Sequence, residues 1–368
     1  DGKTPVISDR IFTYANEIAR RVREKNPDKG VGIFGYTFYN KPPRSIKALE
    51  PNLYLSFVYQ CASLRSPEAY KDWKERTYAW KKVGAKMVVR EGWGNHYNLD
   101  LPFLHYDQII ANLSEAYKLG FVAAYGDASK SFATMAPNYW ALTRMLWDPE
   151  RETTTVMDEF WSSAYGPVAG EMEAFFEAYS TALDRNWSKR MRIMDTDGMP
   201  YVNMANSWNI LFPPTVVEEA EAHLVAAEKK VQPGEYADRV SLHRVGQDYT
   251  RVLLELLDHY GQLAEHGLSL EFFDDRLSED STEKRERRTD KAERERLLKR
   301  AYELGEQRER MLLAHRDWAG PSAGLYAYTN DKGIRQWHTL VKEELGIEQP
   351  TAITKDSLRA LERAKRSK

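Results

Sequence analysis

The chain has very little cysteine, because Cys61 is the only one among its 368 residues. This excludes an internal disulfide framework and a metal site built from several thiolates. A lone cysteine in a chain of this size is typical of a buried, unreactive thiol. The cysteine content therefore leaves the cellular compartment open.

The sequence also lacks long hydrophobic runs and a large excess of one charge. No apolar stretch approaches the roughly 20 residues that a membrane-spanning helix needs. The formal net charge is −2, which argues against nucleic acid or an anionic membrane as the main partner. With 42% hydrophobic and 29% charged residues, the composition is that of a globular chain with one large or two ordinary domains.

Cofactor and metal motifs are absent as well. The loop GWGNHY at 92–97 lacks the third glycine of a dinucleotide fingerprint and does not open a helix, and no phosphate-binding loop occurs. The eight histidines show no His-Glu-x-x-His motif and no other ligand spacing. We therefore expect neither a cofactor nor a bound metal.

What the first half of the chain contains is an alternation of helix and strand patterns. Buried strands are predicted at 31–36, 52–60, 85–91 and 120–127, with helices at 9–25, 67–83 and 105–119 and another beginning at 138. Strands separated by helices of this length indicate parallel βα units. Each strand runs into a polar or glycine-containing loop, and the carboxyl ends of parallel strands form the functional edge of such folds.

The second half is predicted to be helical. Helical patterns occur on both sides of Gly166-Pro167 and at 214–231, 237–266 and 285–315, with one short strand near 324–328. The expected fold is therefore α/β followed by all-α, with a βα domain at 1–185 and a helical bundle at 186–368. The charged stretch at 281–300 is interpreted as a solvated helix face, with a partner contact as the alternative.

Two carboxylates follow apolar strands directly, and each begins a glycine-containing loop. They are Glu91 and Asp127. If both strands belong to one parallel sheet, both acids emerge at the same edge. A protonated acid paired with an ionised one is what glycoside hydrolysis needs, as proton donor and as base or nucleophile. The alternative for Glu91 is an ion pair with a nearby cation, and for Asp127 an ordinary Gly-Asp turn.

Several residues around these acids have side chains suited to sugar binding. Aromatic rings can stack on a sugar ring, amides and imidazoles can bind hydroxyls, and arginines can pair with an acidic sugar. The candidate substrate-binding residues are Tyr36, Arg65, Arg90, Trp93, Asn95, His96, Tyr97 and Tyr125. The alternative for the loop is packing on itself, and for the tyrosines burial at strand ends.

Four segments resemble one protein family. They are SDRIFTYANEIARRVREKNPDKGVGIFGYTFYNKPP, KMVVREGWGNHYNLDLPF, YWALTRMLWDPE and MDEFWSSAYGPVAGEMEAFFEAY, which together span residues 8–180. They are similar to the mostly bacterial family known as domain of unknown function 4838, which is commonly annotated near α-glucuronidases and other glycoside hydrolases. The Leu-Trp-Asp-Pro to Tyr-Gly-Pro stretch is the most specific part of the match.

The resemblance implies a (βα)8, or TIM-barrel-like, fold of which this chain supplies the second half. It matches Glu91 to the family's acid after the third strand and Asn95 to its asparagine. Family members often carry Glu after the fourth strand, where this chain has Gly126-Asp127. The resemblance also implies a carbohydrate partner and an exported protein, secreted or periplasmic.

Three functional interpretations follow. The first is a glycoside hydrolase that acts on a polysaccharide or uronic-acid-containing glycan, with Glu91 and Asp127 as catalytic carboxylates. The second is a non-catalytic carbohydrate-binding or scaffold protein with a degenerate barrel site, favoured by the departure at Gly126-Asp127. The third is a helical interaction module at 214–315. The sequence leaves the sugar, the stereochemical outcome and the oligomeric state open.

Overall fold

A computed structural model describes most of the chain. The described residues are 7–59, 61–94, 99–128, 131–194, 204–266, 268, 290–315 and 331–347. They form two compact units. The first comprises the described residues up to 185 together with 215–247, and the second comprises the described residues within 186–214 and from 248 onward.

The first unit begins as a series of βα units. Its elements in chain order are α1 (Ile7–Lys25), β1 (Val31–Gly35), β2 (Leu53–Val58), α2 (Pro67–Lys82), β3 (Lys86–Gly94), α3 (Tyr106–Lys118), β4 (Ala123–Ala128), α4 (Phe132–Trp147) and α5 (Thr155–Tyr165). The four strands pair in parallel in the order β1-β2-β3-β4. The predicted parallel sheet of βα units is therefore confirmed.

Local sequence signals fix the ends of the connecting helices. Ser66 caps α2, its hydroxyl accepting from the backbone N–H of Ala69 at 3.3 Å, and Pro67 occupies the first helical position. Gly84 and Gly120, just beyond the ends of α2 and α3, have φ values of 78° and 79°. Only glycine adopts this left-handed conformation without a steric penalty, so both helices end there.

Helices cover one face of the sheet. Leu55, Phe57 and Val89 point to this face and are fully buried or nearly so. The guanidinium of Arg76 on α2 lies 5.4 Å from the ring centroid of Phe57, and Phe12 of α1 packs on Trp80 of α2 at 4.7 Å. Consecutive right-handed crossovers place successive helices on the same side of a parallel sheet. We call this the helix-covered face.

The opposite face of the sheet carries exposed aromatic side chains. Phe34 of β1 and Tyr125 of β4 are each 45% exposed, and Tyr36, directly after β1, is 50% exposed. Ser56 and Arg90 alternate with the buried residues of β2 and β3 and so point to this side. We call it the aromatic face. Parallel sheets are usually covered on both faces, so this exposure is unusual.

The rest of the first unit is helical. It contains α6 (Ala169–Met194) up to residue 185, α8 (Pro214–Lys230) from residue 215, and α9 (Glu235–Glu265) up to residue 247. The turn Gly166–Val168 separates α5 from α6, as the Gly-Pro dipeptide predicts. His243 of α9 lies against α4 and α5, contacting Ala133 and Tyr165. Gly246 packs one turn further along α9 against the carbonyl of Ala133.

The second unit is helical throughout its described part. It contains the end of α6, α7 (Met204–Leu211), the end of α9, α10 (Lys291–His315) and α11 (Asp331–Glu344). The Asn186 amide donates to the carbonyl of Leu211 at 3.1 Å, and the rings of Tyr260 and Trp337 stack at 5.2 Å. The helical C-terminal region is confirmed. The short strand predicted near 324–328 lies outside the described residues.

None of the described helices is long and apolar enough to cross a membrane.

Candidate functional site

Glu91 lies at the carboxyl end of β3 and is only 4% exposed. Its Oε1 accepts a hydrogen bond from the backbone N–H of Cys61 at 2.7 Å. Its Oε2 is buried and has no hydrogen-bond partner among the residues that the structure describes. One oxygen is therefore held by the chain while the other is left for a further group.

Burial determines the protonation state of this carboxyl. Loss of hydration raises the pKa of Glu91 to about 8, against smaller opposite effects of the Cys61 N–H and the Arg90 charge. Because a pKa of about 8 lies above neutrality, Glu91 is mainly a neutral acid at pH 7. A neutral carboxyl can donate a proton, which an ionised one cannot.

The residues that surround Glu91 come from the turn after β2 and from α3. Cys61 opens the turn Cys61–Arg65, and both burial and the nearby Glu91 charge raise the pKa of its thiol. Tyr59 is also buried, and its hydroxyl donates to Oδ1 of Asn112 on α3 at 2.5 Å. The expected unreactive character of Cys61 agrees with its full burial, but its backbone N–H has a role that the sequence does not reveal.

Arg65 closes the same turn and is engaged inside the chain. Its Nε donates to Oδ1 of Asp184, and its Nη2 lies 3.4 Å from the carbonyl of Leu104. The side chain of Arg65 is 8% exposed, while that of Asp184 is 55% exposed. The guanidinium predicted to pair with a substrate carboxylate is thus paired with an internal one.

His105 forms a second buried polar group near Arg65. Its backbone N–H donates to Oδ1 of Asn138 at 3.0 Å, and its Nδ1 lies 3.0 Å from the carbonyl of Phe103. Its Nε2 has no partner within the described part of the chain. Burial, with a smaller contribution from the Arg65 charge, lowers the pKa of His105 to about 3, so the imidazole is neutral. Sequence reasoning missed this residue as a site candidate.

The loop before His105 has an unusual backbone. Leu99 and Asp100 have φ values of 56° and 61°, in the left-handed region that non-glycine residues seldom adopt. Oδ1 of the buried Asp100 accepts a hydrogen bond from the hydroxyl of Ser131, just before α4. This contact joins the β3–α3 loop to the β4–α4 loop, which are the loops that follow the two predicted acids.

Arg90 and Tyr125 meet on the aromatic face. The Arg90 guanidinium lies 5.6 Å from the ring centroid of Tyr125, whose hydroxyl donates to Oγ of Ser56 at 2.9 Å. Nη1 of Arg90 also donates to the carbonyl of Glu91 at 3.0 Å. Tyr36 lies on the same side, so this face brings together three of the predicted substrate-binding residues.

The remaining predicted residues are only partly described. Asp127 belongs to β4, between Gly126, which pairs with Glu91, and Ala128, which pairs with Gly94 across an irregular register. Trp93 belongs to β3. Asn95, His96 and Tyr97 lie outside the described residues.

The described residues contain no cluster of three or more His, Cys, Asp or Glu side chains able to hold a metal ion.

Comparison with known proteins gives one family match. The model of a family described as Domain of unknown function (DUF4838) matches residues 2–177, which include all four strands. They also include the Glu91 cluster, which consists of Glu91, Tyr59, Cys61, Arg65 and Asn112. No curated protein and no solved structure matches the chain.

Proposed function

We propose, from the geometry around Glu91, that the region at residues 2–177, which matches the DUF4838 family model, is a glycoside hydrolase-type domain. Its substrate is a polysaccharide or a uronic-acid-containing glycan. Glu91 serves as the general acid. Asp127 serves as the second carboxylate. The aromatic face holds the glycan.

The observation that carries the proposal is the asymmetric environment of the Glu91 carboxyl. One oxygen is fixed by the Cys61 N–H at 2.7 Å, and the other has no hydrogen-bond partner among the described residues. A general acid needs a proton at neutral pH and an oxygen free to reach the leaving group. The raised pKa of Glu91 supports the first requirement. Oε2 has no partner among the described residues but is buried, so it meets the second requirement only when the chain around it opens.

Sheet winding supports a barrel-type active site. The order β1-β2-β3-β4 is sequential, and helices lie on one face. Sequential order with helices outside is the winding of a (βα)8 barrel, in which the uncovered face is the interior. We propose that the aromatic face is such an interior. In barrels of this type, substrates bind at the carboxyl ends of the strands, where Glu91 and Asp127 lie.

The strand register places Asp127 on the strand next to that of Glu91. Glu91 pairs with Gly126, so Asp127 is one residue further along the adjacent strand. Neighbouring strands are about 4.8 Å apart, and paired catalytic carboxyls are about 5–5.5 Å apart in retaining enzymes and about 6.5–9.5 Å apart in inverting ones. Because Glu91 alternates with Arg90, it points to the helix-covered face, so we propose that the pair forms only at the edge of the sheet where the two strands end.

A second candidate function is glycan binding without hydrolysis. The observation that favours it is the exposure of Phe34, Tyr36 and Tyr125 on the aromatic face, combined with the low exposure of Glu91. Exposed rings stack on the apolar faces of sugars whether or not a catalytic pair is present.

Site variants assayed on a panel of neutral and uronate-containing glycans test the proposal. We expect Glu91→Gln to abolish hydrolysis, because the amide cannot donate the proton, and Asp127→Asn to reduce it strongly. Glu75→Gln, at a side chain that is 68% exposed on α2, is the matched control and should retain full activity. The wild-type rate should fall as pH rises through about 8, where Glu91 ionises.

The outcomes separate the two functions. Hydrolysis that survives both Glu91→Gln and Asp127→Asn refutes the proposed site. Binding without hydrolysis in the wild type, weakened several-fold by Tyr125→Ala or Tyr36→Ala, establishes the second candidate.

A further inference from the structure

A cavity of about 270 Å³ lies at the amino ends of the strands, the edge opposite to Glu91. The end of α1, the segment before β1 and the first residues of β2 and β3 line it. Sites for drug-sized ligands occupy roughly 300–1,000 Å³, so this cavity suits a smaller ligand such as a single ring.

The cavity wall is positively charged. Arg23, Lys29 and Lys86 line it with one carboxylate, Asp28, and Glu50 pairs with Arg23, which leaves an excess of one positive charge. Nη2 of Arg23 lies 2.5 Å from Oε2 of Glu50. The ion pair of Lys29 with Asp28 is well exposed and therefore weak. Lys86 has no ion pair within the described chain, so its ammonium is available to an anion.

Asn52 supplies a hydrogen-bond acceptor in the same wall. It is 9% exposed, and its Nδ2 donates to the carbonyls of Ala19 at 2.9 Å and Lys29 at 3.2 Å. These two acceptors fix the orientation of the amide. Its Oδ1 is buried and has no partner among the described residues. A buried acceptor without a donor is costly, and a ligand hydroxyl would satisfy it once the cavity wall moves enough to expose this oxygen.

Tyr54 contributes a flat apolar surface. It is the cross-strand neighbour of Lys86, whose ammonium lies 5.3 Å from the centroid of its ring. A Cβ at Gly30 would lie 2.5 Å from Cε2 of Tyr54, so glycine leaves the space that the ring occupies. The ring is therefore held at the cavity wall beside the ammonium of Lys86.

We propose that this cavity binds a small hydroxylated carboxylic acid of the size of one acidic sugar. The carboxylate pairs with Lys86 and Arg23, a hydroxyl donates to Oδ1 of Asn52, and the apolar ligand face lies on Tyr54. A bare anion offers no donor to Asn52, and a neutral sugar offers no charge to Lys86. The site uses none of the residues of the Glu91 cluster and stands independently of the proposed hydrolysis.

Calorimetric titration of the full chain with sodium D-glucuronate, D-glucose, sodium acetate and inorganic phosphate tests the site. We expect glucuronate to bind at least about tenfold more tightly than the other three, because it alone combines charge and hydroxyls in one ring. Lys86→Gln should weaken glucuronate binding about tenfold. Lys118→Gln, an exposed lysine at the end of α3, should leave it unchanged.

A second variant addresses the aromatic wall, and two controls address folding and the Glu91 site. Tyr54→Leu should weaken glucuronate binding several-fold with an unchanged far-ultraviolet dichroism spectrum. Glu91→Gln should bind glucuronate as the wild type does, which separates this cavity from the catalytic proposal. Equal affinity for acetate or phosphate, or unchanged glucuronate binding in Lys86→Gln, overturns the assignment.

Discussion

The hydroxyl of Tyr165 lies 2.7 Å from Nε2 of His243, which is 78 residues further along the chain. On the other side of the ring, Nδ1 of His243 lies 2.9 Å from the carbonyl of Ala133. Burial lowers the pKa of His243 to about 4, so the ring is neutral at pH 7. Nδ1–H then donates to Ala133, and Nε2 accepts from Tyr165. Through this ring, α9 is tied to α4 and α5.

Removing the Tyr165 hydroxyl is expected to destabilise the first unit. Tyr165→Phe leaves Nε2 of His243 buried without a donor, which costs about 1–3 kcal/mol. Urea unfolding followed by tryptophan fluorescence measures the loss. Tyr117→Phe, at a tyrosine that is 44% exposed on α3, is the control and should change stability by less than about 0.5 kcal/mol. Equal stability of the two variants would contradict the role of this hydrogen bond.

His243 is also expected to make the fold sensitive to acid. The pKa of His243 is about 4 in the folded chain and 6.5 in the unfolded chain. Between these pH values the unfolded chain therefore binds one proton more than the folded chain. Stability is therefore lost as pH falls from 6.5 towards 4, by at most about 1.4 kcal/mol per pH unit from this group. We expect the slope of unfolding free energy against pH to be smaller in His243→Gln. An unchanged slope in that variant would exclude His243 as the source.

Glu91 is expected to act in the opposite direction. Its folded pKa of about 8 exceeds the ordinary 4.5, so the folded chain binds the extra proton between these values. Stability therefore falls as pH rises from 4.5 to 8. Glu91→Gln removes this dependence. Its unfolding free energy relative to that of the wild type should therefore rise by on the order of 3 kcal/mol between pH 5 and pH 8.5. Urea unfolding at both pH values measures this change. A variant that is more stable relative to the wild type at pH 5 than at pH 8.5 would refute the prediction.

Cys61 is expected to resist thiol reagents in the folded chain. Its side chain is fully buried, and burial raises the pKa of the thiol well above its ordinary value. Since the thiolate is the nucleophile, reaction should be at least about 100-fold slower in buffer than in urea. The rate of reaction with a chromogenic disulfide reagent measures the difference. Similar rates in both conditions would place the Cys61 thiol at the surface.

Two helical glycines offer a matched comparison. A Cβ at Gly246 would lie 2.4 Å from the backbone carbonyl oxygen of Ala133, whereas a Cβ at Gly170 meets nothing within 4 Å. Gly246→Ala should therefore cost about 1–3 kcal/mol through overpacking, while Gly170→Ala should stabilise by up to about 1 kcal/mol through helix propensity. Thermal unfolding of the two variants distinguishes the effects, and a stabilising Gly246→Ala would show that α9 is free to move away from α4.

Local patterns predicted the strands and their parallel sheet, but α4 begins at Phe132 and not at residue 138, because Pro137 lies inside the helix. The apolar runs that form β1 to β4 are bounded by glycine or polar turns, and the Gly166-Pro167 break separates α5 from α6 as expected. The position of Glu91 at the functional edge also follows from strand order alone. These features depend on residues close together in the chain, where periodicity and turn chemistry are strong signals.

The environment of the site depends on contacts that no local pattern encodes. The Cys61 N–H reaches Glu91 across 30 positions, and Arg65 reaches Asp184 across 119. His105, directly before α3, has no distinctive sequence neighbours, and its polar partner Asn138 lies 33 residues further along, in α4. The only available signal was the placement of Cys61 and Arg65 in a polar loop after β2. Burial, which decides the pKa of Glu91, is a property of the assembled unit.

The sequential strand order has a consequence for how this sheet is made. Every strand from β2 onward pairs with the strand that precedes it in the chain. During synthesis, each new strand therefore emerges after its partner, and pairing never has to wait for a segment still to come. The sheet can grow one βα unit at a time, with loop closure limited to a single crossover at each step. Folding of this region is thus suited to proceed from its amino end as the polypeptide leaves the ribosome.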